Sequence, residues 1–410
     1  MFKVIRNQSY DFIGESYASK YPNLHKYPAT MLPQIGIKIL EELGIKKGKL
    51  LDPYCGSASS FISAIDKGIN NLEGYDINPL AILITRVKFT EVSVKLLEKT
   101  AQDIRNEIFE IMKNKYSLND VKLPDSKNIL FWFSKNVLIN LSIIRQVVNS
   151  LKNKAIKDFF WLPLSETIRE CSYTRNNEFK LYKMKEDAVL NFNPDVFGVF
   201  FDKVGRNIKI YKNYYLPKIG NSKVKTYCKP FDYNKKSYDV VLTSPPYGDS
   251  RTTVAYGQFS TFSNEWMGFN DARSLDRNAM GGKRTDKLYQ TGLMEEYIKK
   301  IDSLSRLRAL EISSFYFDLE DSIQKVSDSL KRGGKAIYVV GNRTVKGFRL
   351  PTDQFIAEQF EINKCKHLVT YERLLSNKAM PLKNSPTNKS GQLMDTMNYE
   401  YIVVCEKNKC

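Results

Sequence analysis

The sequence predicts an α/β protein: a doubly wound, mostly parallel sheet of seven strands with an antiparallel strand at one edge, carrying an inserted helical and irregular module. Three observations predict it. Strand-like runs occur singly with helical stretches between them, as crossover connections require, and not as a ladder of hairpins. The last two such runs follow one another without a convincing helix between them. Finally, about 160 residues separate the second run from the third, far more than a crossover needs.

The elements follow in order. KLLDPYC (Lys49 to Cys55) is a short apolar run ending in a turn of small residues, and NLEGYDI (Asn71 to Ile77) is the next. Between them SASSFISAIDKG reads as a helix, so the three make a βαβ unit with parallel strands. Later strands are SYDVVLTS (Ser237 to Ser244), KAIYVVG (Lys335 to Gly341), HLVTYERLL (His367 to Leu375) and NYEYIVVCEK (Asn398 to Lys407). The last two suggest the antiparallel edge. Helical patterns run from Met294 to Leu330 and from Pro351 to Phe360. In the long intervening stretch, Val137, Leu141, Ile144, Val148 and Leu151 repeat at helical spacing. Ser172 to Lys225 is rich in Asn, Lys, Tyr and Phe and reads as short extended pieces. The boundaries expected are 1–90 for the first half of the domain, 91–222 for the insertion and 223–410 for the second half.

Charge narrows the class of partner. There are 63 Lys and Arg against 45 Asp and Glu, a formal net charge of +18. No compact basic tail accounts for this excess, which suits a broad cleft for a polyanion such as nucleic acid. No apolar run reaches the ~18 residues of a membrane span, and MFKVIRNQSY lacks the basic-then-apolar pattern of a secretory leader. A soluble, cytoplasmic protein is expected. The six cysteines form no CxxC pair and only His25 and His367 are available beside them, so no metal site is expected.

Two segments carry chemistry. In LLDPYCGSAS, Asp52 ends a strand, and Gly56 with Ser57, Ala58 and Ser59 opens a helix whose free N–H groups face a ligand. Asp76 in GYDINP ends the next strand, where a carboxylate can accept both hydroxyls of a ribose. Neither GxGxxG nor GxxxxGK[ST] is present, and Asp52 would repel a pyrophosphate. An acidic turn suits a cationic cofactor, and S-adenosyl-L-methionine (SAM) carries a sulfonium and an ammonium. The second segment is TSPPYGDS. Two prolines after a buried strand fix an extended bend and remove two N–H donors, leaving carbonyls free to accept from a ligand amino group. Tyr247 offers a flat surface for a base.

DPYCGSAS, GYDINPLA and TSPPYGDSRTTVAYGQFS together resemble the motifs of the amino-DNA methyltransferases, the SAM-dependent cytosine-N4 and adenine-N6 enzymes of bacterial restriction–modification systems. HKYPATMLP (His25 to Pro33), SLKRGGKAIYVVGNR and MPLKNSP…DTMNYEYIVV are similar to other segments of that family, leaving about Lys88 to Asn221 unassigned. The resemblance implies the Rossmann-like methyltransferase fold, with a cofactor-binding half, an inserted target-recognition module and a catalytic half. It implies that Asp52, Tyr54 and Gly56 line the methionine end of SAM, that Asp76 takes the ribose hydroxyls and that Ile77 flanks the adenine. Phe231 or Asp232 would contact the adenine ring or its amino group. Tyr27, Pro28 and Ala29 would close the pocket, and Ser244, Pro245, Pro246 and Tyr247 would hold the flipped target base. Ala58 stands where the family often has a second glycine, so a slightly altered turn is expected.

The implied reaction is direct methyl transfer to an exocyclic amine of a base extruded from duplex DNA. Ser244 and the Pro245 carbonyl would accept the amine protons and aim its lone pair. Carbon-5 chemistry would need a thiolate, typically in a Pro-Cys pair, and no cysteine here follows a proline. In the family, Ser at the first motif position goes with cytosine-N4 and Asp or Asn with adenine-N6. Ser244 therefore favours cytosine, with adenine as the alternative. Candidate DNA contacts are Arg169, Arg175, Lys180 and Lys183 in the insertion, whose other reading is a solvated basic face, and Arg251, Gln258 and Arg273 after the SPPY segment. A cognate restriction endonuclease is the expected functional partner. Rival readings are an RNA or protein-glutamine methyltransferase, which usually lacks the GDSRTTVAYGQFS continuation, and a non-catalytic DNA-binding subunit, against which Asp52, Asp76 and Tyr247 argue.

Overall fold

The computed structural model describes residues 2–15, 21–28, 30–176, 178–233, 237–249, 254–375, 383–384, 394–395 and 397–409. Its main sheet has eight strands: β1 (Val4–Arg6), β2 (Lys49–Asp52), β3 (Asn71–Asp76), β4 (Lys223–Cys228), β5 (Tyr238–Thr243), β6 (Leu330–Val340), β7 (Cys365–Leu374) and β8 (Tyr399–Lys407). Their order is β1-β7-β8-β6-β5-β2-β3-β4. All neighbours are parallel except that β8 runs against both β6 and β7.

The α/β architecture read from the sequence is present, with two corrections of detail. The sheet has eight strands where seven are expected. The reversed strand lies inside the sheet and not at its edge, because β7 and then β1 pair beyond it. β1 has three residues, all exposed, and so carries no apolar signal. β4 is the opposite edge, where Lys223 and Lys225 point outward, and it too lacks an apolar run. Most of the MPLKNSP segment lies outside the described residues.

The pleat divides the core into two layers, since successive strand residues point to opposite faces. Leu50, Leu72, Val240, Leu242, Ile337 and Val339 face one side, while Leu51, Tyr75, Val241, Ala336 and Tyr338 face the other. The first layer is covered by α1 (Pro33–Glu42), α2 (Ser59–Asp66), α3 (Pro79–Phe89), α4 (Val94–Met112), α5 (Lys135–Ser150), α6 (Lys154–Glu170), α7 (Val196–Ile210) and α8 (Tyr256–Trp266). The second is covered by α9 (Met294–Leu304), α10 (Arg306–Ser329) and α11 (Thr352–Ile362). Covered on both faces, β5 buries Tyr238 and every residue from Val240 to Thr243, as a central parallel strand should. Among the described residues no helix is long and apolar enough to cross a membrane.

The insertion is more helical than its composition suggests. Val137, Leu141, Ile144 and Val148 are buried along α5, as their spacing predicts. The stretch after Ser172, expected to be extended, contains α7, which buries Val196, Phe200, Val204 and Ile208 at four-residue intervals. Its extended part is a narrow hairpin closed by the antiparallel bridge of Thr174 with Lys183. The helical pattern from Met294 to Leu330 is two helices, broken at Ser305, whose hydroxyl accepts from the Arg308 N–H at 3.4 Å and caps α10.

β2 pairs with β3 on one side and β5 on the other. The crossovers therefore leave in opposite directions there, and open α/β sheets bind ligands beyond the strand ends at such a switch point.

Candidate active site

Asp52 closes β2 and is buried. Its carboxylate accepts from the Tyr54 N–H at 3.0 Å, from the Thr243 hydroxyl at 2.5 Å and from the Ser60 hydroxyl. Thr243 is the last residue of β5, so Asp52 joins the two strand ends that flank the switch point. Burial pushes this carboxyl up to about 6, against the three donors that favour the anion. Asp76 closes β3. Its Oδ2 accepts from the Gly56 N–H at 2.9 Å and its Oδ1 from the Asn78 N–H at 2.8 Å. Each oxygen keeps a lone pair for a ligand hydroxyl. Desolvation in the cleft pushes this carboxyl up to about 6 as well.

Gly56 and Ala58 both adopt left-handed backbone, at φ 49° and 64°. The turn thus keeps a glycine-type conformation at Ala58, which costs an L-residue about 1–2 kcal/mol. Two side chains of α3 brace it from behind. The Lys88 ammonium donates to the Ser57 carbonyl at 2.7 Å and the Thr85 hydroxyl to the Gly56 carbonyl at 3.1 Å. Lys88 is buried, which pushes its pKa down to about 7.

At the end of β5, Ser244 and Pro246 face the cleft while Pro245 is buried. Tyr247 packs behind them against Gly341, where a Cβ would stand 2.8 Å from its ring. The Tyr247 hydroxyl donates to Glu400 Oε1 at 3.1 Å and accepts from the Ser244 hydroxyl at 3.2 Å. The other Glu400 oxygen pairs with the buried Arg373. A carboxylate paired with a guanidinium only accepts, so Glu400 sets the direction of this chain. The Ser244 proton points at Tyr247, and its oxygen offers lone pairs to the cleft. Asp249 anchors the far side of the turn through a buried bidentate pair with Arg308, at 3.0 and 2.7 Å.

A cleft of about 440 Å³ opens at the switch point. It brings together Tyr27, Asp52, Tyr54, Gly56, Asp76, Ile77 and Phe231 with Ser244 and Pro246. Pro28, Pro245 and Tyr247 stand outside its lining. Phe231 lines it whereas Asp232 is exposed and turned to Lys325 at 3.6 Å, which corrects the inclusion of Asp232. Ala29 and Arg251 lie outside the described residues.

The basic candidates divide. Arg175 and Lys180 are exposed, and Lys183 sits 3.9 Å over the ring of Phe131. Arg169 is corrected: it is buried and donates to the carbonyls of Phe259 at 3.0 Å and Glu178 at 2.6 Å, so it holds the protein and not DNA. Arg273 donates to Glu265 at 2.6 Å and to the Lys127 carbonyl at 3.1 Å, and its guanidinium is likewise engaged within the fold. Gln258 accepts from the Leu181 N–H at 3.3 Å.

Sequence reasoning passes over several lining residues. Asn78 donates to the Tyr27 hydroxyl at 3.0 Å and to Ser260 at 3.1 Å, tying the Asp76 turn to α8. Asn-Pro at the start of a helix signals a cap, and nothing in it signals a hub. Tyr256 stacks on Tyr27 at 5.9 Å. The strap from Leu275 to Met280 also lines the cleft, as does Lys283. Asp276 accepts from the Gly257 and Gln258 N–H groups at 2.7 and 3.1 Å and so caps α8 from a distance. Asp318, Asp321, Ser322 and Lys325 of α10 form the opposite wall.

No protein-family model matches the chain. It is 36% identical over 425 aligned residues to the type II methyltransferase M.MvaI of Kocuria varians, covering 97% of this chain and 93% of that protein. It is 28% identical over 114 residues to the type II methyltransferase M.MjaII of Methanocaldococcus jannaschii, covering 28% of this chain and 21% of that one. Among solved structures, TehB of Haemophilus influenzae superposes with a TM-score of 0.31 at 8% identity, over 96% of this chain and 66% of that one. The full-length match to M.MvaI decides the matter: the chain belongs to the type II DNA methyltransferases of restriction–modification systems.

Proposed function

We propose that this protein transfers a methyl group from SAM to the exocyclic N4 amino group of a cytosine flipped out of duplex DNA, protecting a site from a cognate restriction endonuclease. The observation that carries this reading is the orientation of Ser244. Its proton is committed to Tyr247 by the Glu400 carboxylate, so its oxygen presents lone pairs in the cleft that holds Asp52 and Asp76. An acceptor of that kind suits an N–H donor such as an amine.

The cleft fits SAM. Asp52, Asp76, Asp276, Asp318 and Asp321 stand on its walls against Arg277, Lys283 and Lys325, an acidic excess among the described lining residues that favours a cationic ligand. Asp76 accepts the ribose hydroxyls with the lone pairs left beside the Gly56 and Asn78 N–H bonds. Phe231 and Ile77 flank the adenine, Tyr27 closes the pocket, and the turn from Asp52 through Tyr54 to Gly56 holds the methionine end. SAM supplies an electrophilic methyl group. Ser244 and the Pro245 carbonyl accept the amine protons, drawing the nitrogen towards a tetrahedral shape with its lone pair aimed at the methyl, and Tyr247 orients the Ser244 hydroxyl from behind. Orientation and exclusion of water supply most of the rate.

The insertion at 91–222 is the target-recognition module in this reading, with Arg175, Lys180 and Lys183 on its hairpin facing DNA. The same acceptor would serve an adenine N6 amine. Cytosine rests on serine at the first motif position. Incubation of the protein with methyl-labelled SAM and duplex DNA tests the reading: label is expected on the DNA, and a protein that binds SAM yet labels no DNA sinks it.

A further inference from the structure

The hairpin from Thr174 to Lys183 carries a feature that the methyl-transfer chemistry does not use. Phe179 stands near its tip with 49% of its surface exposed. Tyr182 on the hairpin and Phe131 beside it are exposed to 46% and 50%, with Lys183 over Phe131 and Arg175 6.0 Å over Tyr182. A large apolar ring left in water is unfavourable, and a mobile loop would normally tuck it away.

This loop is held in place. The Arg169 guanidinium donates to the Glu178 carbonyl at 2.6 Å, to the Phe179 carbonyl at 3.4 Å and to the Phe259 carbonyl at 3.0 Å. It also lies 4.6 Å over the Phe259 ring. Burial of that charge pushes its pKa down to about 10, a sign of what the arrangement costs. The Leu181 N–H donates to Gln258, and the Arg175 N–H donates to the Tyr182 carbonyl at 2.8 Å. The backbone at Glu178 and Phe179 is therefore tied to α6, and the half-exposed Phe179 ring projects from a braced segment.

Its position relates it to the cleft. The Phe179 ring meets Phe259 edge-on at 6.4 Å, and Phe259 meets Tyr27 edge-on at 6.1 Å. Tyr27 and Tyr256, the latter one helical turn before Phe259, both line the cleft. Phe179 thus stands outside the cleft and two ring contacts from its wall, among exposed cations that suit a phosphate backbone.

We infer that Phe179 enters the base stack beside the extruded target nucleotide and holds the gap open while the base occupies the cleft. Apolar side chains inserted between base steps offset part of the unstacking that extrusion requires. Arg169 is the positioning residue that keeps the ring extended. The inference rests on the proposed action on duplex DNA and assigns the wedge to one residue.

The test uses the full chain and two synthetic duplexes carrying the sequence found modified in DNA treated with the wild-type protein. One is fully paired. The other has an abasic residue opposite the target base, so that extrusion needs no unpairing. Wild-type turnover of the paired duplex establishes the methyltransferase reading by itself. Phe179→Ala is expected to lower kcat/KM on the paired duplex by about tenfold, the scale of one base–aromatic stacking contact. On the abasic duplex the loss should shrink to within about twofold, Phe179→Trp should retain activity on both, and the SAM Kd should not move. An equal loss on both duplexes would make Phe179 a structural residue and overturn the inference, as would no loss on the paired one.

Discussion

The turn after β2 and the turn after β5 face the same cleft but are held in opposite ways. The cofactor turn is largely self-supporting. Asp52 is bonded by Tyr54, Ser60 and, across to β5, Thr243, and Asp76 by Gly56 and Asn78; all but Thr243 come from within 20 residues of the carboxylate they bond. The substrate turn depends on distant chain: Glu400 and Arg373 behind Tyr247, Arg308 behind Asp249, Asp276 at the start of α8. A cofactor site of this kind is a local motif that tolerates rearrangement around it. A base site is an assembly point, sensitive to elements far along the sequence.

The contrast can be broken in several ways, the largest first. Replacing Arg308 with Met leaves Asp249 buried without its bidentate partner, and such a change costs about 3–5 kcal/mol. Denaturant unfolding should show a loss of that size; a loss below about 1 kcal/mol would mean that the substrate turn stands without α10. Next comes the division of labour. Asp76→Ala removes charge-assisted acceptors and should weaken SAM binding by about 10–100-fold, measured by calorimetry. Glu400→Gln introduces a donor that can reverse the hydroxyl chain; it should lower kcat by about tenfold with SAM affinity unchanged. If both variants moved affinity and turnover alike, the two halves would not be separable.

Acidity sharpens the comparison, since the cofactor turn holds two raised carboxyls. Asp52 and Asp76 sit near 6, above the ordinary value of about 3.9. Burying them as anions therefore costs stability at neutral pH. Their contribution to folding is most favourable below about 4 and is lost as the pH rises through about 6. SAM binding runs the other way, because the anion of Asp76 is the better acceptor of hydroxyls. SAM affinity should fall as the pH drops from about 7.5 to about 5, and Asp76→Asn should flatten that profile. The smallest expected effect is at Ala58. Glycine relieves the left-handed strain but loosens the unfolded chain, for a net gain of about 0.5–1 kcal/mol in stability with the cofactor site intact.

The same contrast explains what could be read from the sequence. Asp52, Gly56 and Asp76 are near neighbours whose roles depend on strand ends and backbone N–H groups, and residue type with spacing conveys both. Tyr247 is recognisable as an aromatic after two prolines, but its partner Glu400 lies 153 residues away and no spacing could join them. Arg169 shows the opposite failure. It reads as one more cation in a basic segment, and only the packing of α6 on α8 turns it inward. β1 and β4 were illegible because edge strands bury little and need no apolar run. The strap from Leu275 to Lys283 contributes to the cleft through its position against α8 and α10, which a segment of mixed polarity does not announce.

The account turns on Ser244 as the acceptor of a base amine, and the product reports on that most directly. Nucleosides from DNA methylated by the purified protein, separated and identified by mass spectrometry, should contain N4-methylcytosine. N6-methyladenine in its place would keep the amine acceptor and overturn the assignment of the base, whereas 5-methylcytosine would contradict the account at its centre.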